Sequence, residues 1–461
     1  MNSFTNYFRH CLSVTNIPRL WRGLLPVLLV WMFFEGVFKK KLGDAETLII
    51  IKDILVICIY LSFISYSLKY NSLKFPKSSF FLMFVIYMIY VLLNSIPSLF
   101  SNKFIFFVGF RSQIFYAFLF FISYNFFISL NHIDKYIEVA LIISIFLVIY
   151  ALYQLSYCKF GYFDDPFLAD GGYDIRARSF GLKDTYLIMP TSVFSGFGRF
   201  ARYCGLVITL GISILLRYKS QKRVYIQYVA LSIAFIGVLI SGRRTALLAI
   251  LITYIIFSAP LLISLLNRFN NYFIKLSLKR LIGYSFFGLI FLLLLINSTF
   301  LTKTIKSSAL FFQTTVEKSD KNIGRLSKQI NAINFALEKG GLLGSGTGTK
   351  SLGSSRYSYH EKNPFGEAGF AKIIWEQGIV GFLLWILLFL SIFLDGLILF
   401  LNLKTFQAQS ILIGCLAYVV FFIIYTFKAF QFYDDSYQQI YLWIILGAMF
   451  SLRRLEPTRI A

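Results

Sequence analysis

The sequence is poor in charged residues, proline and cysteine, and each shortage argues against a class of protein. Only 14% of its 461 residues are charged, whereas 57% are hydrophobic and 19% aromatic, which exceeds what a soluble domain carries. Nine prolines are few for a transporter whose helices break near mid-membrane. Five scattered cysteines predict neither a disulfide framework nor a metal site. No Asp-x-Asp motif and no P-loop ending occur, so neither a metal nor a cofactor is predicted.

The chain contains instead a series of hydrophobic runs of about 20 residues, the length that a helix needs to cross a membrane. We therefore predict an all-α, polytopic membrane protein in which residues 1–461 form a single integral membrane domain. About twelve transmembrane helices are expected, at residues 21–38, 47–68, 79–100, 104–130, 136–157, 199–217, 224–241, 244–265, 281–301, 376–402, 407–428 and 436–452.

The net charge of +24 is distributed between these runs. Basic residues so placed orient helices and attract anionic membrane lipid, whereas nucleic acid binding would need them gathered on one surface, so no nucleic acid partner is predicted. Counted over short loops, nineteen Lys and Arg lie inside and seven outside if both termini are cytoplasmic. This topology puts two long loops, 158–198 and 302–375, and the turn SGRR at 241–244 on the outer face of a cytoplasmic membrane.

The second loop contains a short amphipathic helix and a run of glycines. The helix is predicted from apolar residues at helical spacing, Ile330, Ile333, Ala336 and Leu337. It is followed by GGLLGSGTG, which has five glycines in nine residues. Glycine permits positive φ and a close approach of backbone N–H groups to an anion. Gly346 and Gly348 are therefore predicted to bind substrate.

Several motifs in order resemble those of the O-antigen ligase and polymerase superfamily. They are RARSFG at 176–181, SGFGRFARY at 195–203, SGRRTALL at 241–248, GR at 324–325 and EAGFAKIIWEQGIVG at 367–381. The resemblance covers roughly residues 100–400. It implies an inverting, metal-independent membrane glycosyltransferase that uses a polyprenyl-diphosphate-linked oligosaccharide as donor.

The resemblance also implies a catalytic base near the last motif. Ligases of the family have His-Asn eleven residues before the first of two glycines, where this chain has Glu367 and Ala368. A carboxylate can take a proton as His does, so Glu367 is the predicted base, on the same helical face as Gly378 if the segment is helical. His360, seven residues upstream, is predicted to bind substrate and is the alternative base.

The leaving diphosphate needs cations, and guanidinium groups stay charged and donate two hydrogen bonds to phosphate. Arg178, Arg243 and Arg244 are predicted to act in catalysis, and Arg176 and Arg325 to bind substrate. The missing His-Asn favours a polysaccharide polymerase, with a chain-length regulator as a further partner. A ligase that moves the glycan to a lipid or protein, a polysaccharide flippase, and a purely structural assembly protein are the alternatives. The sugars, linkage, acceptor and oligomeric state do not follow from the sequence.

Overall fold

The computed structural model describes most of the hydrophobic runs and parts of the loops between them. The described residues are 20–42, 46–71, 73–157, 178–179, 186–187, 190, 192–194, 197–215, 223–241, 243–268, 319–350, 368–428 and 435–456. The predicted span 281–301, most of the loop 158–198, and residues 302–318 and 351–367 lie outside them.

The described residues form a helical membrane protein, as predicted. In chain order the helices are α1 Trp21–Leu42, α2 Glu46–Tyr70, α3 Ser79–Ser101, α4 Lys103–Gln113, α5 Leu119–Phe126, α6 Leu130–Tyr157, α7 Phe197–Leu215, α8 Arg223–Ile240, α9 Arg244–Arg268, α10 Ser319–Gly340, α11 Gly369–Asn402, α12 Phe406–Lys428 and α13 Ser436–Leu455. A 3-10 turn at Phe115–Phe118 joins α4 to α5. The strands β1 Arg178–Ser179 and β2 Tyr186–Leu187, which were not predicted, form a two-residue antiparallel ladder.

Seven of these segments are long and apolar enough to cross a membrane. They are Trp21–Phe38, Ile50–Tyr70, Ser79–Phe100, Lys103–Phe126, Leu130–Gln154, Gly369–Asn402 and Phe406–Phe427. Two further apolar stretches, Ile226–Ile240 and Thr245–Phe257, are shorter. The described residues thus support a multi-pass membrane protein, and they supply seven of the twelve predicted spans.

Four predicted spans form helices but are not among the seven: α8 and α9, which contain the two shorter stretches, and α7 and α13. Helix α13 contains Gln438, Gln439, Arg453 and Arg454, which lower its hydropathy, and its residues from 437 to 452 are all buried in the protein. It is therefore a central packing helix. Helix α7 likewise begins with a polar turn that contains Arg199 and Arg202.

The helices divide into two compact units. The first comprises residues 1–35, 45–134 and 326–461, and the second residues 36–44 and 135–325. In the first unit, α13 packs tightly on α5, since a Cβ atom at Gly447 would lie 2.6 Å from the backbone oxygen of Phe120. Small residues allow such close helix contacts in membranes. Beside this contact the rings of Phe80 and Phe450 stack with centroids 4.6 Å apart.

In the second unit, α6 holds the turn that precedes α7. Ser192 donates its backbone N–H to Oε1 of Gln154 at 2.8 Å, and its hydroxyl donates to the backbone oxygen of Leu147 at 2.7 Å. Gln154 returns a hydrogen bond from Nε2 to the oxygen of Ser192. These bonds fix where α7 begins, and therefore the position of its first polar turn.

The predicted amphipathic helix is present as the last turns of α10. Ala332 and Ala336 are buried in a cluster with Ala368, Ala371 and Ile374, at the start of α11. Ile330 and Leu337 are exposed on the opposite face. The helix is longer than predicted, since α10 begins at Ser319.

Candidate functional site

Helix α11 is interrupted at Gly378, where φ is 69° and ψ is −174°. Almost only glycine adopts this conformation. A Cβ atom at this position would lie 2.2 Å from the carbonyl oxygen of Leu342. Glycine is required because residues 341–350, which we call the glycine turn, pass directly against the break in the helix.

The break leaves backbone groups of α11 without helical partners, and the glycine turn supplies partners on both sides of it. Unpaired backbone groups away from water cost free energy comparable to a lost hydrogen bond. The four hydrogen bonds run from Ser345 N to Trp375 O (2.8 Å), from Gly346 N to Glu376 O (3.0 Å), from Ile379 N to Gly341 O (3.1 Å) and from Val380 N to Leu342 O (3.1 Å). The turn and the broken helix therefore stabilise one another.

The side chain of Glu376 lies beneath the turn and is 1% exposed. Its Oε1 accepts a hydrogen bond from the backbone N–H of Lys350 at 2.8 Å, and its Oε2 accepts one from Nε2 of Gln113 at 3.0 Å. Nζ of Lys372, which is also buried, lies 3.7 Å from Oε1. These donors already occupy the carboxylate, so Glu376 positions the turn and is poorly suited to take a proton from a substrate.

The neighbouring Gln377 extends this network to α3 and α4. Its Nε2 donates to Oε1 of Gln113, and its Oε1 accepts from the hydroxyl of Tyr87 at 3.2 Å. The hydroxyl of Tyr90 donates to the backbone oxygen of Gln377, another group that the helix break leaves available. Helices α3, α4 and α11 and the glycine turn are thus joined by one buried set of hydrogen bonds.

Gly346 and Gly348, predicted to bind substrate, have φ values of 100° and 95°. Added Cβ atoms would lie 2.6 Å from Oγ of Ser98 and 2.5 Å from the backbone oxygen of Ile105, respectively. Positive φ and close packing on α3 and α4 explain both glycines without a ligand. Their contact with substrate stays a prediction.

The second unit brings two arginines together at the start of α7. Nη2 of Arg243 lies 3.5 Å, and Nη2 of Arg202 3.6 Å, from the position that a Cβ atom on Gly198 would occupy. Nε of Arg202 donates to the backbone oxygen of Gly198 at 2.9 Å, which fixes that side chain along α7. The turn before α9 carries Arg243, whose N–H donates to Oγ of Ser241 at 3.3 Å. Two guanidinium groups from different motifs thus converge beside one glycine.

The other predicted arginines are described by their backbone alone or not at all. Arg178 begins β1, Arg244 begins α9, and Arg325 lies in α10. Arg176 lies outside the described residues. The structure therefore brings Arg243 to a second arginine, and the predicted roles of these four stay predictions.

Both candidate bases, Glu367 and His360, lie outside the described residues. Helix α11 begins at Gly369, after the extended residue Ala368. The predicted shared face of Glu367 and Gly378 required a continuous helix, and that condition is not met, because α11 begins at Gly369 and is broken at Gly378. Gly381 lies against Tyr90 of α3, whereas Gly378 lies against the glycine turn.

A second charged network lies in the first unit. Nζ of Lys52 is 3.3 Å from Oε2 of Glu35, and both side chains are buried. Nε of Arg111 is 2.8 Å from Oδ2 of Asp53, and the hydroxyl of Tyr116 donates to Oδ1 of the same carboxylate. Lys52 and Asp53 lie in the first turn of the span Ile50–Tyr70, so the network is near one edge of the membrane.

Within the residues that the structure describes, no three His, Cys, Asp or Glu side chains are grouped as a metal site would require. Comparison with known proteins gives no relative: no family model matches the chain, and no curated protein has a significantly similar sequence.

Sequence reasoning missed Arg202 at the arginine pair, and it missed Gln113, Lys372, Glu376 and Gln377 beside the glycine turn. For Arg202 and Glu376 the sequence contained a signal that could have identified them. Arg202 lies in the motif SGFGRFARY, and Glu376 stands with Gln377 in an otherwise apolar run just before Gly378. Polar residues in a membrane span usually face a partner or a cavity, which would have identified both.

Proposed function

We propose that the chain is a membrane glycosyltransferase that polymerises glycan repeat units from a polyprenyl-diphosphate-linked donor. The observation that carries the proposal is the convergence of Arg202 and Arg243 beside Gly198. A leaving diphosphate gains negative charge as the glycosidic bond breaks, and preorganised cationic donors stabilise that charge. Guanidinium groups suit the role because they stay charged and donate bidentate hydrogen bonds.

In this proposal Arg202 and Arg243 hold the diphosphate, and Arg178 and Arg244 assist them. Glu367 or His360 takes the proton from the attacking hydroxyl of the acceptor sugar. Arg176 and Arg325 contact the donor glycan. Cationic side chains take over the part that a divalent ion plays in metal-dependent transferases.

The proposal includes a twelve-span topology with both termini in the cytoplasm and loops 158–198 and 302–375 outside. Two local contacts support it. The turn that carries Arg243 meets the start of α7, where the first loop ends. The glycine turn of the second loop meets the α3–α4 connection, since Gly348 packs on Ile105. Each contact joins segments that the predicted topology places on the same face.

The topology is tested by single cysteines introduced into a variant without native cysteines. A cysteine at Asp170 or Ser351 should react with a membrane-impermeant maleimide in intact cells. A cysteine at Gln221 should react only after the membrane is permeabilised. Labelling of the cysteine at 221 in intact cells would contradict the predicted topology, in which both long loops lie outside.

Two alternatives differ in their product. A ligase uses the same diphosphate chemistry and transfers a finished glycan to a lipid or protein acceptor. A flippase moves the lipid-linked unit without breaking its glycosidic bond. Transporters bind substrate near mid-membrane, whereas the charged network at Lys52 and Asp53 lies in the first turn of a span. This position favours an enzyme over a flippase.

The deciding experiment supplies purified protein in vesicles with a polyprenyl-diphosphate-linked repeat unit and separates the products by gel electrophoresis. The parent should give a ladder of polymers. Arg243→Ala and Arg202→Ala should each lose about 10²- to 10³-fold in rate, as loss of one transition-state donor typically does. Lys at either position should restore activity only in part, because an ammonium group lacks the bidentate geometry.

Arg22→Ala is the matched control, because Arg22 is an exposed arginine at the start of α1 in the other unit. It should retain the parent's rate. Parental rates for the double variant of Arg202 and Arg243 would refute the diphosphate role. Transfer of one glycan to an added acceptor, without a ladder, would favour the ligase. Translocation of the lipid-linked unit without any transfer would favour the flippase.

A further inference from the structure

Leu342 and Leu343, at the tip of the glycine turn, are more exposed than Leu93 of α3 and Leu383 of α11, two leucines on the exposed sides of the neighbouring helices. Their exposures are 67% and 66%, against 58% for Leu93 of α3 and 52% for Leu383 of α11. The turn cannot easily rotate these side chains inward, because the backbone on both sides of them is hydrogen-bonded to α11. Two fixed, adjacent, exposed leucines need an apolar surrounding.

The position of the turn along α11 indicates what that surrounding is. Leu342 accepts its hydrogen bond from Val380. Val380 is the first of a stripe of exposed apolar residues along α11 at helical spacing: Val380, Leu383, Leu387, Leu390, Leu394, Leu397 and Leu401. A helix of 34 residues with such a stripe faces lipid along it. Leu342 is therefore level with the first lipid-facing residue of the span.

The turn is bounded on its other side by the lipid-facing stripe of α3. Nδ2 of Asn94 donates to the backbone oxygen of Leu343, and the hydroxyl of Tyr90, which donates to Gln377, lies 3.4 Å from the same oxygen. The residue before Asn94 is the exposed Leu93, and Ile89 and Ile96 lie on the same exposed side of α3. The two leucines thus continue an apolar surface that runs from α3 to α11.

Irregular backbone tolerates the hydrocarbon region only if its polar groups are paired within the protein. The carbonyl groups in the apolar part of the glycine turn meet that condition. The backbone oxygens of Gly341, Leu342 and Leu343 all accept hydrogen bonds from α11 or α3. The backbone N–H groups of Gly341 and Gly344 donate to Leu337 and Gly340. Such pairing would be unnecessary for a loop in water.

The other end of the turn has the residues of a membrane surface. Ser345 is exposed and its hydroxyl lies 2.9 Å from that of Thr349. Nζ of Lys350 lies 5.2 Å from the ring centroid of Trp375, and Trp and Lys are typical of the interface between hydrocarbon and water. The turn therefore changes from apolar to polar within a few residues.

We infer that the glycine turn is a membrane-embedded element, with Leu342 and Leu343 among the acyl chains of one leaflet and Ser345 to Lys350 at the level of the lipid headgroups. This goes beyond the sequence prediction, which placed residues 302–375 in a loop on the outer face of the membrane. The inference does not depend on the proposed enzymatic function.

The test is spin labelling of the full chain in phosphatidylcholine vesicles, starting from a variant without native cysteines. Labels are placed by Leu342→Cys and Leu343→Cys in the turn, by Leu390→Cys as a lipid-facing reference on α11, and by Lys404→Cys as an exposed reference after α11. Accessibility to molecular oxygen, which partitions into lipid, is compared with accessibility to a polar nickel complex.

The oxygen-to-nickel ratio at 342 and 343 should match that at 390 and exceed that at 404 several-fold. A ratio close to that at 404 would place the turn in water and overturn the inference. Low accessibility to both reagents at 342 and 343 would show that protein covers the leucines, and would also overturn it. Using two adjacent positions ensures that one label that disturbs folding does not decide the outcome.

Discussion

Replacement of Glu376 by Gln tests whether this carboxylate holds the glycine turn in place. Gln has the same shape but has no charge, and its amide nitrogen cannot accept a hydrogen bond. The single remaining acceptor oxygen cannot serve both the N–H of Lys350 and Nε2 of Gln113, which now use separate oxygens at 2.8 and 3.0 Å. The ammonium group of Lys372 loses its carboxylate in a site where its side chain is 2% exposed.

The largest expected cost comes from that lysine. Removing one partner of a buried ion pair typically destabilises a protein by about 3–5 kcal/mol, because the other charge remains without compensation. A donor left without an acceptor costs a further ~1–3 kcal/mol. We therefore expect Glu376→Gln to unfold at a distinctly lower fraction of sodium dodecyl sulfate in mixed micelles, followed by tryptophan fluorescence.

A second variant separates charge from shape. Glu376→Gln combined with Lys372→Met removes both charges, and replacing a buried ion pair with uncharged groups is often close to neutral. The double variant should therefore recover most of the lost stability. Glu338→Gln, at an exposed glutamate of α10, is the control and should unfold like the parent. The reasoning fails if Glu376→Gln is as stable as the parent, or if Lys372→Met gives no recovery.

Three further substitutions follow from the same contacts. Gly378→Ala should destabilise the protein by at least about 1–3 kcal/mol through backbone strain, in the same unfolding assay, whereas Gly23→Ala should be nearly neutral because nothing lies within 4 Å of its Cβ position. Lys52→Met should cost about 3–5 kcal/mol by leaving Glu35 buried without its ammonium partner, and adding Glu35→Gln should restore most of it. Gly198→Leu should fill the space beside the guanidinium groups and lower the rate of polymerisation. Gly198→Ala should retain the parent's rate because its Cβ makes only ordinary contacts, the nearest at 3.5 Å. Equal activity of the two variants would contradict the arginine site.

The hydrophobic pattern predicted the helical class and seven of the twelve spans, because it is a local property of the sequence. An apolar run of about 20 residues forms a helix in lipid because a helix pairs the backbone groups within the segment. The pattern was less informative for α13, because this helix is surrounded by protein. Its polar residues Gln438 and Gln439 are buried inside the first unit.

The pattern failed where a helix breaks without proline. The predicted span 104–130 is divided into α4, a 3-10 turn and α5. The reason lies in distant partners: Arg111 pairs with Asp53, and Tyr116 donates to the same carboxylate. No local signal around residue 114 reports a partner sixty residues earlier, so the break required the structure.

Of the two arginines beside Gly198, the sequence predicted Arg243 but not its neighbour Arg202. Arg243 was predicted from its motif and from the predicted topology, which places it on the outer face. Arg202 was missed, although its motif was recognised, because the sequence does not show that its side chain turns back along α7 toward Gly198. A helical side chain points toward the N-terminus of its own helix. By this rule the side chain of Arg202 points toward the start of α7, where Arg243 also lies.

The motif EQGIVG, at residues 376–381, shows how the parts of the first site depend on one another. Glu376 holds the end of the glycine turn, and Gln377 holds α3 and α4. Gly378 lets the turn approach, since a Cβ atom there would lie 2.2 Å from the oxygen of Leu342. Gly381 lets Tyr90 approach, since a Cβ atom there would lie 2.7 Å from its ring. At a membrane surface a broken helix is stable only if its freed polar groups are paired, so loss of any one of these contacts leaves others without partners. The effects of substitutions within this motif should therefore be strongly non-additive, and double-mutant cycles between Glu376 and Gln377 would measure that coupling.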